Sequence, residues 1–491
     1  MKNTFNLIKS LSKAEKRYFV RFSNFQTPEK ENQYLALFNA INKQDEYNKE
    51  KLLMKFGEKH FAQLKQRLHF KLMQALRMFH SKELPQNTII EQQQNCRILL
   101  DKGMWNEAKK ELVKAINSAN KNERHLELLS LYSNESYLHS KGGNVENIKS
   151  QLKNIDDNFE LQIEKVTNLW EYEKIYLKIT ILNDELEAVR NKKELNIIDN
   201  FLELPQLSIQ DYPQTLLAQL IQFYAKGIAY YLKGNFNNCG IEMEKALAII
   251  QLNNGLLKNR EELFIRLYAN LILVKIRLNL LSEAKLHLNK FKTQNLNSAS
   301  LRKSKDYLIY ILELMLYNKQ FLYKKAIQHI KEKQTWLNSY QSQIENENIK
   351  PQERIYNVFQ TATTYLGIND YKKASNILLD FITNSHKGLK KDAYSMVRIF
   401  YLVILIERNN EALLNSELKS VMRYLKSKTI IYRFEKIFLR FISKMLIATS
   451  QKKIKSLYSS LSIELETPQE NNFEKNAFVY FDFLNWAKSK Y

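Results

Sequence analysis

Phe223-Tyr-Ala-Lys-Gly227-Ile-Ala-Tyr230-Tyr-Leu-Lys-Gly234-Asn-Phe236-Asn-Asn-Cys239-Gly-Ile-Glu-Met243-Glu-Lys-Ala246 reads as two helices joined by a tight turn. Phe223, Gly227 and Tyr230 recur at i, i+4 and i+7, the apolar stripe of one helix. Gly234-Asn235 is a break signal. Phe236, Cys239, Met243 and Ala246 then make the stripe of a second helix. The small residues Gly227 and Cys239 fall where the two helices cross, which lets their axes approach closely.

The unit recurs along the chain. One copy reads Cys96, Leu99, Gly103, Trp105, Ala108, Leu112 and Ala115; another Tyr268, Lys275, Leu281, Ala284, Leu288 and Phe291. A further copy reads Ala362, Tyr365, Asp370, Tyr371, Ala374, Leu378 and Phe381. Weaker copies centre on Ile148 (after Gly142-Gly143-Asn144), Ala188, Ala326 and Ala412. With large and small residues alternating at set positions, the unit resembles the tetratricopeptide repeat. The separations of 40, 40, 51, 45, 42, 48 and 38 residues exceed that family's period of about 34, so each helix pair is expected to be longer. The expected fold is all-α, an α-solenoid of antiparallel helix pairs with helical end caps.

Composition supports this. The 491 residues include 10 Gly and 6 Pro, about 2% and 1% against average usage near 7% and 5%. Hairpin-rich folds need those residues at their turns, so sandwiches, barrels and propellers are excluded. A hydrophobic content of 44% is enough for a large core. Pro85, Pro205, Pro213 and Pro351 fall between helical stripes. Three regions are expected: a basic helical cap over 1–84, repeats over 85–426 and a C-terminal helical cap over 427–491. In the first, Ser12-Lys-Ala-Glu15 has the form of a capping box and Thr27-Pro28 that of a cap with proline following. Four helices are expected there, and an aromatic helix from Phe473 to Trp486 is expected near the C-terminus.

The net charge is +23, a balance that favours acidic partners. It is uneven: residues 91–250 carry 19 basic and 23 acidic side chains, whereas 385–460 carry 16 and 5. Two cysteines cannot build a disulfide scaffold. The longest apolar run, Ile399 to Ile406, is far short of a bilayer span. No signal-peptide pattern opens the chain, so the expected address is cytoplasmic and no membrane partner is expected.

Two basic clusters stand out. One follows Glu58, where Lys65, Arg67, Lys71 and Arg77 lie in an acid-free stretch beside the stripe Phe61, Leu64, Leu68 and Leu72. The other includes Arg423, Lys426, Arg433 and Arg440. Both suit anion contact, and both also suit a solvated helix face. The eight histidines show no zinc-ligand spacing, and Cys96 and Cys239 occupy small-residue packing positions. With no catalytic motif apparent, no enzyme activity, metal or cofactor is expected.

In the repeat family, ligands lie along the first helix of each pair. That resemblance implies Ile221, Tyr224, Ile228 and Tyr231 in one copy, and Arg266, Ala269, Leu273 and Ile276 in the next. In other copies it implies Arg97, Tyr137 and Tyr356. The Lys/Asn clamp that some members use for a C-terminal carboxylate is absent. The leading expectation is a non-enzymatic scaffold that binds a peptide or helix of another protein in the groove. The alternative is a nucleic-acid- or ribosome-associated factor working through its basic end surfaces.

Overall fold

The computed structural model describes residues 2–26, 32–81, 85–140, 145–186, 188–209, 212–252, 260–296, 298–344, 351–384, 391–428, 431–470, 473–475, 478 and 480–491. The protein is all-α, with helices that pack mainly on their neighbours in sequence. It divides into two compact units, Met1–Val166 and Thr167–Tyr491.

The first unit opens with α1 (Lys2–Ser10), α2 (Lys13–Gln26), α3 (Gln33–Lys43), α4 (Lys49–Phe56) and α5 (Glu58–Phe79). These are five helices where four were expected; the additional one is α1, whose Phe5 and Ile8 enter the core. The Ser12/Glu15 capping box is present, with the Glu15 N–H donating to Ser12 Oγ and the Ser12 N–H to a Glu15 carboxylate oxygen. Thr27-Pro28 lies outside the described residues. Phe19, Phe38, Leu68 and Leu72 close this core. A separate core joins α6 (Pro85–Asp101), α7 (Trp105–Lys121), α8 (His125–Ser140) and the first part of α9 (Val145–Leu186) around Cys96, Ala108, Leu112 and Leu131.

α9 corrects the repeat spacing read across it. It runs unbroken for 42 residues, so Ile148 and Ala188 do not mark two successive second helices. Ala188 lies beyond the helix end. Gly142-Gly143-Asn144 lies outside the described residues.

The second unit continues with α10 (Lys192–Leu202), α11 (Pro205–Ser208), α12 (Leu216–Leu232), α13 (Phe236–Leu252), α14 (Glu261–Arg277) and α15 (Leu281–Thr293). Then come α16 (Ala299–Lys319), α17 (Tyr323–Ile344), α18 (Pro351–Gly367), α19 (Tyr371–Asn384), α20 (Lys391–Glu407) and α21 (Glu411–Lys426). α22 (Arg433–Met445), α23 (Gln451–Glu470) and α24 (Phe483–Lys488) end it. Pro85, Pro205 and Pro351 each open a helix, where the missing N–H has no intrahelical partner to lose. Of the expected helix from Phe473 to Trp486, the described residues are α-helical from Phe483, in α24. Pro468 lies inside α23, within its last turn.

One turn geometry closes the pairs. A single residue with positive φ sits between α6 and α7 (Gly103, 72°), α12 and α13 (Gly234, 68°), and α14 and α15 (Asn279, 59°). The same holds between α16 and α17 (Phe321, 58°), α18 and α19 (Asn369, 61°), and α20 and α21 (Asn409, 52°). At each, the following N–H reaches back five residues, as Asn235 N–H to Tyr230 C=O and Leu322 N–H to Tyr317 C=O; this is a Schellman closure.

This turn sets the register of the packing. Seven residues before it stand Cys96, Gly227, Ile272, Leu314, Ala362 and Leu402, all buried. Five residues after it stand Ala108, Cys239, Ala284, Ala326, Ala374 and Leu414, again buried. The last of these corrects the reading at Ala412, which is exposed. Where both positions are small, in α6/α7, α12/α13 and α18/α19, the two helices make the most extensive contact.

Candidate functional site

The first helices α12, α14 and α16, with the end of α9, form a cleft of about 310 Å³. It is lined by Tyr176, Ile221, Arg260, Glu261, Glu262, Leu263 and Leu301. The charges are held in pairs. Arg260 meets Glu173, and the Arg266 Nε donates to Glu262 at 3.1 Å. A Glu261 oxygen accepts the Ser298 N–H at 3.2 Å, tying α14 to the cap of α16. Tyr224 lies beneath, 5% exposed, its ring 6.0 Å from that of Tyr176. Burial pushes both phenols above their ordinary range, so both stay protonated.

Tyr231 and Tyr356, read from separate repeats, are brought together. Their hydroxyls lie 3.2 Å apart. Arg277, which sequence reasoning missed, joins them: its Nη2 donates to the Tyr356 hydroxyl at 3.0 Å, and its guanidinium lies 4.6 Å from the Tyr231 ring and 5.0 Å from Phe236. Tyr480 stacks on Tyr356, centroids 5.8 Å apart. This end of the first-helix face is therefore packed against the chain's own C-terminal segment. The Phe473 carbonyl is also held there, accepting from Arg190 Nη1 at 3.4 Å. Cation–π contact keeps a guanidinium favourable among aromatic rings, and no local pattern in the sequence announces it.

The other first-helix positions divide by burial. Ile221, Ile228, Ala269, Leu273 and Ile276 are buried. In the first unit, Arg97 on α6 is exposed, as is Tyr137 on α8 at 52%. On α5, Arg67 lies 5.5 Å from the Tyr34 ring and Lys71 Nζ donates to Gln74 at 3.3 Å. Lys65 is half-buried and Arg77 exposed. In the second unit Arg423, Lys426, Arg433 and Arg440 are all exposed. Both cysteines are free and buried, and burial pushes the Cys239 thiol up to about 12, so it stays protonated and unreactive. Among the described residues, no three His, Cys, Asp or Glu side chains converge as a metal site would require, and no helix is long and apolar enough to cross a membrane.

No family model, curated protein or solved structure matches the chain.

Proposed function

We propose that the second unit is a non-enzymatic protein-interaction module that takes a peptide or helix of another protein in the cleft between α9, α12, α14 and α16. The lining of that cleft carries the reading. Leu301 and the Tyr176 ring, half-buried over the core residues Ile221 and Leu263, offer apolar surface beside Arg260, Glu261 and Glu262, a mixture suited to an amphipathic segment. Tyr and Arg are the side chains that most often dominate binding energy at such surfaces. The helix pairs are similar to tetratricopeptide repeats in longer units, and the cleft opens among their first helices, where ligands of that family lie.

Affinity capture with the full chain, across a salt series and with or without nuclease, tests this. The expected result is a nuclease-resistant protein partner whose retention drops at least ~10-fold, about 1.4 kcal/mol, in Leu301→Arg and Arg260→Glu. Retention that both variants leave unchanged, or that nuclease abolishes, overturns the reading.

A further inference from the structure

Residues 411–458 hold eleven Lys or Arg and three acids, Glu411, Glu417 and Glu435. Two of those acids are engaged internally: Glu435 is 2% exposed and 3.5 Å from Lys428, and Glu417 is 4.0 Å from Arg398. The exposed cations form rows. On α21, Lys419, Arg423 and Lys426 recur at i, i+4 and i+7, opposite the buried Leu414, Leu418, Val421 and Leu425. On α22, Arg433, Lys436, Arg440 and Lys444 recur at i, i+3, i+7 and i+11, on the side away from Phe438. Arg440 lies 3.7 Å from the exposed Glu464, a surface pair worth little in water. The other six side chains have no carboxylate within ion-pair distance among the described residues.

We infer that the outer sides of α21 and α22 are a nucleic-acid contact surface that binds the phosphate backbone without reading base sequence. A helix rises 1.5 Å per residue, so the α22 row sets cations about 4.5–6 Å apart over roughly 16 Å. Each can neutralise one phosphate and release its counterion. The apolar sides of both helices are inside the core, so neither helix has a hydrophobic face to lay into a lipid interface. No exposed aromatic side chain lies within either row to stack on bases. The row on α5 is interrupted by comparison. There Arg67 lies over Tyr34, and Phe70, Met73 and Met78 share the exposed side. The α21/α22 surface is separate from the cleft, and its assignment does not rest on peptide binding.

The test is fluorescence anisotropy of the full chain with a labelled mixed-sequence duplex of about 20 base pairs, between about 50 and 200 mM salt. Wild type is expected to show a log–log slope of about −4 or steeper. Replacing Arg423, Lys426, Arg433 and Lys436 together by Gln should make that slope shallower by about 3.6, near 0.9 for each of four lost phosphate contacts. The same replacement at Lys65, Arg67, Lys71 and Arg77 should leave it unchanged. No wild-type binding at about 50 mM salt overturns the inference, a result that needs no variant. So does a loss confined to the α5 variant, or binding to phosphatidylserine-containing vesicles but not to the duplex.

Discussion

Two glycines inside helices show how the same residue can be needed for different reasons. A Cβ on Gly227 would lie 2.8 Å from Met243 Cε, the far end of a flexible side chain. Gly227→Ala should therefore be nearly neutral, because an alanine gains about 1 kcal/mol of helix propensity while Met243 moves. A Cβ on Gly367 would overlap the ring of Tyr323, which cannot bend away. Gly367→Ala should lower stability by about 1–3 kcal/mol, the usual cost of overpacking. Urea unfolding of the two variants checks this; equal midpoints would refute the distinction. Gly227 was legible from its place on an apolar stripe. Gly367 was not, since the Tyr323 ring that excludes a side chain there arrives only with the packing of α17 against α18.

At the scale of the element, the turn that closes these six pairs is one device written in different residues. Gly103 and Gly234 were readable as turns because glycine takes positive φ without steric cost. Asn279, Asn369 and Asn409 take the same geometry with side chains that tolerate it, and Phe321 takes it with none of that tolerance. A Cβ on Gly103 would meet nothing within 4 Å, so Gly103→Ala should cost only the backbone term, about 1–2 kcal/mol. Phe321 is 71% exposed, so Phe321→Gly should stabilise by about 1 kcal/mol. Thermal unfolding of both variants tests the pair, and shifts of the same sign would refute a shared left-handed requirement. The small residues five and seven positions from the turn carried the fold signal where they were Ala, Gly or Cys. In α16/α17 and α20/α21 one or both are Leu, so the pattern faded although the geometry held.

At the scale of the molecule, long-range closure of the second unit depends on its last residues. Trp486 Nε1 donates to Glu407 on α20 at 2.7 Å, and Lys490 Nζ reaches the same carboxylate. Around it Phe438, Phe441 and Tyr458 form an aromatic cluster. Trp486→Ala should cost about 3–5 kcal/mol, as other buried aromatic truncations do, and leave the Glu407 carboxylate without its indole donor. Guanidinium unfolding monitored by circular dichroism checks the loss; less than about 1 kcal/mol would show that the C-terminal segment is peripheral. The sequence alone determined the all-α class, the paired helices and the turns at Gly103 and Gly234. It did so because scarce Gly and Pro and a helical apolar period are local properties of the chain. Only the tertiary structure decided that α9 is one helix, that Arg277 links Tyr231 to Tyr356, and which first-helix positions border a cleft. Those outcomes depend on which distant side chains share a volume, and pairwise proximity leaves no mark in local spacing.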